Sequence, residues 1–137
     1  MENYLVGGLM AAICFTSATT LKAAPKVDFE KQVFPILKEH CLDCHQAPVE
    51  VRGRAKKPKG GLRLDGARWI MRGGSGGEAI FKGKPEKSPL LQRVVLPPDD
   101  EDIMPPKGKP LSKKQAALIE QWIAEGARFG GWKGNET

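Results

Sequence analysis

The pattern of apolar and polar residues predicts a protein built of short helices. Val33, Leu37 and Cys41 recur at intervals of four residues, which places them on one face of a helix. Pro35 suits the first position of such a helix, because its fixed backbone angle is already helical and its missing N–H is not needed there. We therefore expect a first helix over Pro35–Cys44, with this apolar face buried.

Capping residues mark the start of three further helices. Asp65 is expected to cap a short second helix, and Ser88 stands before a proline at the start of a third. Ser112 and Gln115 form a capping box at the start of the last helix. Gly126 ends that helix, since glycine readily adopts the left-handed conformation found after helix ends. These signals predict short helices joined by loops.

The N-terminal region carries an apolar run over Tyr4–Phe15, followed by small and polar residues. This run is short for a membrane span and is typical of a secretory signal. We assign residues 1–24 to a secretory signal peptide or N-terminal anchor, with cleavage after Ala18 fitting the small-residue rule. Residues 25–129 then form one domain, and residues 130–137 a flexible, glycine-rich tail. The protein is expected to be exported and periplasmic, or membrane-associated on the outer side if the first segment is uncleaved.

Charge and composition narrow the range of partners. The chain has 137 residues and a formal net charge of +6, which suits an acidic protein or an anionic surface. Aromatic residues make up only 7% and no nucleic-acid motif is present, so nucleic acid is not expected as a partner. The basic residues between positions 46 and 59 form either a docking patch or a solvated, mobile loop. Such charge runs are more often the latter.

Cys41, Cys44 and His45 form a Cys-x-x-Cys-His motif, the spacing of covalent haem attachment in exported proteins. Both thiols can reach the vinyl groups of one porphyrin, and the histidine can ligate its iron. A zinc site is an alternative, but zinc takes a fourth ligand, for which only Cys14 and His40 are at hand. A redox dithiol is a second alternative, although no βαβ pattern surrounds the motif. One covalently attached haem c is therefore the expected cofactor.

The second axial ligand of such an iron has few candidates. His40 directly precedes Cys41 and cannot reach the other side of the macrocycle. Met71 falls in an apolar helical stripe, where methionine usually fills the core. Met104 precedes two prolines, which hold it in an extended and stiff segment. Met104 is the expected distal ligand, and the alternative is a buried loop methionine beside an open iron site.

Several stretches resemble the small planctomycete-type cytochrome c domain, within the wider class I of c-type cytochromes. They are Phe34-Pro35-Ile36-Leu37, Cys41-Leu42-Asp43-Cys44-His45, Gly60-Gly61-Leu62-Arg63-Leu64-Asp65, Gly83-Lys84-Pro85, Ser88-Pro89-Leu90-Leu91, Met104-Pro105-Pro106, Trp122-Ile123 and Gly126-Ala127. The resemblance implies an all-α fold of the class I cytochrome c type, with short helices around one covalently attached haem. It also implies that the first and last helices cross, with Val33 and Leu37 against Trp122.

The same resemblance implies roles for individual residues. Cys41 and Cys44 would be the thioether anchors, and His45 and Met104 the axial ligands. In the wider class, a backbone carbonyl holds the other ring nitrogen of the proximal histidine. A carbonyl of the segment 58–62 is the candidate in this chain.

Ligation by histidine and methionine fills both axial positions and favours electron transfer. We therefore expect a monohaem cytochrome that passes one electron between redox partners, and not an enzyme that transforms a substrate. A haem-based sensor or a peroxidase-like protein with an open distal site is the alternative. Lys107, Lys109, Lys113 and Lys114 follow Met104 and are expected to steer an acidic redox partner, although a solvated surface explains them equally well.

Overall fold

The computed structural model describes residues 26–137. The signal peptide or anchor predicted over residues 1–24 lies outside this range. None of the helices between residues 26 and 137 has the length and apolar character that crossing a membrane requires.

The described residues form a small, mostly helical domain with short helices, which confirms the predicted helical character. A two-stranded antiparallel hairpin, which the sequence pattern does not predict, interrupts the helices. A π-helical turn (Phe29–Val33) leads into the first helix, and single 3₁₀ turns lie at Lys59–Gly61 and Pro85–Lys87. The other elements in chain order are α1 (Phe34–His40), β1 (Val49–Val51), β2 (Arg54–Lys56), α2 (Ala67–Arg72), α3 (Pro89–Val94) and α4 (Lys113–Ala124).

Helix α1 ends at His40, so the prediction of a helix continuing to Cys44 is wrong. The amides of Cys41 and Leu42 both donate to the carbonyl of Leu37, at 2.9 and 3.1 Å, which closes the helix. The chain then starts a separate turn, in which the amides of Cys44 and His45 donate to the carbonyl of Cys41 at 3.1 and 2.9 Å. The two cysteines therefore lie on a turn after the helix and not on the helix itself.

Two predicted caps use their side chains in other ways. Helix α2 starts after Gly66, and the carboxylate of Asp65 instead accepts bonds from the amide of Ala47 at 3.0 Å and from Arg63. Ser88 does precede α3, but its hydroxyl accepts from the amide of Phe81 and donates to the carbonyl of Lys84, both at 2.9 Å. Both side chains connect separate segments of the chain, which the local sequence pattern cannot indicate.

Helix α4 follows its prediction closely. Ser112 and Gln115 form the reciprocal capping box, and Gly126 has a left-handed φ of +96° just after the helix. The helix packs its buried side chains on the π-helical turn, where the rings of Phe29 and Trp122 lie 4.9 Å apart. Val33, Leu37 and Trp122 belong to one buried cluster, as the crossing of the first and last helices requires.

The C-terminal segment lies against residues 63–67, although its glycine content predicts a loose tail. The amide of Asn135 donates to the carbonyl of Asp65 at 2.7 Å, and the amide of Ala67 donates to the carbonyl of Lys133 at 2.9 Å. Gly134 has a φ of +64°, and a Cβ there would clash with the carbonyl oxygen of Asp65. Only glycine therefore allows the tail to approach so closely.

The ion pair of Arg63 and Asp65 predicts how stability depends on pH. Burial alone would raise the pKa of Asp65, but the bonds from Arg63 and the Ala47 amide, with the charge of Arg63, outweigh it and lower the pKa below 3.8. Because its pKa is lower in the folded than in the unfolded state, the ionised carboxylate of Asp65 stabilises the fold. This contribution is complete above pH 3.8 and is lost as pH falls through the folded-state pKa. We expect Asp65→Asn to lose about 3 kcal/mol at neutral pH, because Arg63 is left without its counter-charge.

The measurement is the free energy of unfolding in denaturant, followed from neutral pH downwards for wild type and Asp65→Asn. The two curves should converge as pH falls below 3.8. The exposed Asp99→Asn variant is the matched control and should follow the wild-type curve. Parallel curves for wild type and Asp65→Asn across this range would contradict the assignment.

Candidate functional site

A cavity of about 630 Å³ brings together residues that are far apart in the sequence. Cys41, His45 and Met104 all line it, and Cys44 is half-buried in the turn between the first two. The volume falls in the usual range of cofactor and ligand sites. Three of the four predicted site residues therefore face one space, and the fourth belongs to the same turn.

Backbone hydrogen bonds hold the Cys41–His45 turn in place from two sides. The amide of Lys59 donates to the carbonyl of Cys44 at 2.9 Å, and the amide of Leu64 donates to the carbonyl of His45 at 2.8 Å. These bonds do not depend on side-chain type, because they use main-chain groups only. The segment from Lys59 to Leu64 thus fixes the position of the motif against the rest of the domain.

The ring of His45 is oriented by the same segment. Its Nδ1 lies 3.2 Å from the carbonyl oxygen of Leu62, which can only accept, so Nδ1 carries the hydrogen and donates. In the neutral ring, Nε2 then keeps its lone pair and is the nitrogen available to a metal. The carbonyl expected within the segment 58–62 is therefore that of Leu62.

The electrostatic environment of the motif suits buried thioethers better than reactive thiolates. Burial raises the pKa of the Cys41 thiol to about 11, with a smaller contribution from the negative charge of Cys44. Redox dithiols depend on the opposite shift, because the thiolate is the reacting form. Among residues 26–137, no three or more His, Cys, Asp or Glu side chains are grouped in a way that could hold a metal ion. The dithiol alternative therefore gains no support from the environment of Cys41.

The cavity also separates the two candidate methionines. Met104 lines it, whereas Met71 packs half-buried against the core and is not among the lining residues. The amide of Met104 donates to the carbonyl of Arg93 in α3 at 3.0 Å, and the adjacent Ile103 is buried. His40 is directed elsewhere, since its Nε2 lies 3.2 Å from the side-chain Nε2 of Gln115.

The remaining walls fit a flat, mostly apolar group. Leucine, valine and alanine side chains line part of the cavity, and glycine backbone lines another part, where a macrocycle can approach closely. Two thiols, an imidazole and a thioether are the kinds of side chain that hold a covalently attached haem. Besides the candidate ligands, the apolar and glycine lining consists of Leu62, Leu64, Ala79, Pro89, Leu90, Val94, Gly60, Gly74, Gly76 and Gly77.

Some polar residues of this cavity are not indicated by any motif. Lys59, Gln92 and Arg93 line it together with Ser75 and Glu78. The one usable signal is helical spacing, because Arg93 lies on α3 next to the apolar positions that face the cavity. Lys59 could not be found in this way, since its position depends on the turn that follows the hairpin.

Comparison with known proteins agrees with the class that this site defines. A Cys-x-x-Cys-His turn beside an apolar cavity with a facing methionine is the arrangement of a c-type cytochrome domain. Residues 41–108 match the family model described as planctomycete cytochrome C, and the chain contains a domain of this family. The family implies haem c as cofactor and haem-based electron transfer as the type of function.

One solved structure with similarity is the hydrazine synthase of Kuenenia stuttgartiensis, at 25% sequence identity and a TM-score of 0.41. The match covers 74% of this chain but only 16% of that chain, so the present protein spans a small part of its relative's length. No curated protein matches the sequence.

A glycine at the cavity wall provides a test of this packing. A Cβ at Gly74 would lie 2.5 Å from the carbonyl oxygen of Gly60 and 3.1 Å from the amide of Leu62. Gly74→Ala should therefore displace the segment that orients His45, at a cost of about 1–3 kcal/mol. Gly131→Ala is the control, because a Cβ there meets nothing within 4 Å.

Thermal unfolding of the two variants, together with the haem content of each preparation, measures the effect. We expect a lower melting temperature and less incorporated haem for Gly74→Ala only. Equal behaviour of the two alanine variants would show that the close approach of Gly74 to residues 60–62 is unimportant.

Proposed function

We propose that this protein is an exported monohaem c-type cytochrome that carries single electrons between redox partners. Cys41 and Cys44 would hold the haem through thioether bonds, and His45 and Met104 would bind its iron. The observation that carries the proposal is that His45 and Met104, from segments 59 residues apart, line one cavity while Leu62 orients the histidine ring. In the proposed class I type of fold, the short helices pack around this haem.

Each residue has a separate task in this mechanism. Haem c, when bound, supplies an iron that takes up and releases one electron. His45 presents Nε2 to it, because Leu62 holds the other ring nitrogen in the donor role. Met104 supplies the thioether. The apolar side chains around the cavity exclude water and so favour the less charged redox state of the haem. No group in this set is needed as an acid, a base or a nucleophile, which is why we propose a carrier and not an enzyme.

The N-terminal residues and the net charge support the proposed location and the proposed kind of partner. The apolar run and small residues of positions 1–24 support transport out of the cytoplasm, with a periplasmic or membrane-associated location. The positive net charge supports an acidic redox partner. Lys107, Lys109, Lys113 and Lys114 are all exposed, as steering of such a partner requires.

Replacement of the two candidate methionines tests the axial ligands. Met104→Ala should lose the weak far-red band of methionine bound to iron(III) and should bind carbon monoxide rapidly. Its reduction potential should fall by a sizeable part of the roughly 0.8 V range that axial ligands span. Met71→Ala is the matched control and should keep the band, because Met71 does not line the cavity.

A pyridine haemochrome spectrum of wild type must first show haem c. Without it, the proposed function fails. A wild-type protein that contains haem c but binds carbon monoxide as fast as Met104→Ala would instead favour the sensor or peroxidase alternative.

The acidic run after α3 provides a second prediction, because it braces the Met104 segment. The carboxylate of Asp102 lies 3.2 Å from the guanidinium of Arg93, and the backbone amide of Asp102 donates to the carboxylate of Asp100 at 2.8 Å. Arg93 also holds Met104 through its carbonyl. Because the ion pair is largely exposed, it contributes little to holding the Met104 segment. We therefore expect Asp102→Asn to raise the rate at which Met104 leaves the iron only about two- to fivefold.

The rate at which added imidazole displaces Met104 from iron(III) measures this release. Asp99→Asn, in the same acidic run, removes an equal charge and should leave the rate unchanged. The difference between the variants should shrink at high ionic strength, since exposed ion pairs are screened by salt. A rate for Asp102→Asn equal to that of Asp99→Asn would rule out the brace.

A further inference from the structure

The hairpin of β1 and β2 places apolar and cationic side chains on the same face. In its register, Val49 lies opposite Lys56 and Val51 lies opposite Arg54. Residues directly opposite in an antiparallel pair point to the same side of the sheet, and so do residues two apart on one strand. One face therefore carries two valines beside two cations, and the other carries Glu50 and Ala55.

This face is open to solvent and is not part of the core. Val49 is 36% exposed and Val51 is 48% exposed, and every other residue of the two strands is exposed as well. A pair of neighbouring apolar side chains surrounded by charge has the composition of a small protein interface, with an apolar centre and a polar rim. Isolated exposed valines would carry no such meaning.

The tip of the hairpin is a tight turn and not a loose loop. Arg52 and Gly53 both have left-handed φ values, +52° and +73°, as the favoured two-residue hairpin turn requires. A hairpin closed in this way presents its face already formed, so less conformational freedom is lost when a partner binds. The solvated, mobile loop expected for residues 46–59 therefore contains an ordered element at its centre.

The charge of this region is uncompensated. Residues 46–59 hold five cations against the single carboxylate of Glu50. None of the five forms an ion pair with any carboxylate within residues 26–137. The resulting positive potential attracts an acidic surface and repels a basic one. The five are Arg52, Arg54, Lys56, Lys57 and Lys59.

Both ends of the hairpin are tied to the haem-binding motif. On one side the amide of Ala47, two residues after His45, is bonded to Asp65. On the other side the amide of Lys59 is bonded to the carbonyl of Cys44, and Lys59 also lines the cavity. A protein bound to the hairpin would therefore lie beside the turn that anchors the haem.

We propose that the face formed by Val49, Val51, Arg54 and Lys56 is the docking site for an acidic redox protein. The proposal rests on the proposed electron-carrier function and names the surface used by its partner. The lysines after Met104 also attract anions, but the large apolar residues exposed within residues 26–137 include none from that segment. They steer a partner, whereas the hairpin supplies both charge and apolar contact.

The test uses the haem-loaded full chain and two acidic polymers, poly-L-glutamate and a random glutamate–tyrosine copolymer. Arg54→Glu/Lys56→Glu reverses two charges on the hairpin, and Lys84→Glu/Lys87→Glu reverses two exposed charges elsewhere as the matched control. We expect the hairpin variant to bind the copolymer on the order of tenfold more weakly than the control variant. Val51→Thr should lose the preference for the copolymer over poly-L-glutamate, because it removes apolar contact and leaves all charges in place.

The outcomes separate this proposal from the proposed function. Haem content and the far-red band of each variant are recorded first, and a wild type without them would overturn the function whatever the binding result. With haem intact, equal weakening in the two charge-reversal variants would overturn the hairpin site. Tighter binding to vesicles of phosphatidylcholine with phosphatidylglycerol than to either polymer would assign the face to a membrane and also overturn it.

Discussion

The carbonyl oxygen of Leu62 is the group on which the rest of the site depends. It accepts from Nδ1 of His45 and thereby decides which ring nitrogen faces the cavity. Its own position is set by the 3₁₀ turn at Lys59–Gly61, and by Gly74, which packs directly against residues 60–62. A chain of close backbone contacts thus runs from the glycine-rich segment to the imidazole. The backbone of these cavity-lining residues therefore decides which ring nitrogen of the histidine is free to bind a metal.

The sequence predicts the parts of this protein whose signals are local. The capping box at Ser112 and the buried stripe of α4 each lie within a few residues, and the structure agrees with both. The Cys-x-x-Cys-His spacing is also local, and its role in haem attachment stays a prediction. The preference for Met104 over Met71 came from the stiffness of a proline segment, and the lining of the cavity supports the same choice. The restriction that Pro105 places on the backbone of Met104 was enough to favour it as the residue facing the cavity.

Other features depend on contacts between distant segments and could not be predicted. Asp65 and Ser88 look like helix caps in sequence, yet their side chains are used by Ala47, Arg63, Phe81 and Lys84. The hairpin was missed because Arg52 is an unusual residue for a left-handed turn position and the strands have no buried face. Each strand also has only three residues, which is too short for apolar and polar alternation to be recognised.

The docked C-terminal segment has a consequence for the order in which the domain forms. The bond that orients the histidine, between His45 and Leu62, spans only 17 positions. The bond from Arg63 to the carbonyl of Thr137 spans 74 positions. Long loops close more slowly than short ones, so we expect the contact of His45 with Leu62 to form early and the tail to pack on Arg63 and Asp65 last. The cysteine motif would then be exposed to solvent on a partly folded chain, before the C-terminal segment packs against residues 63–67.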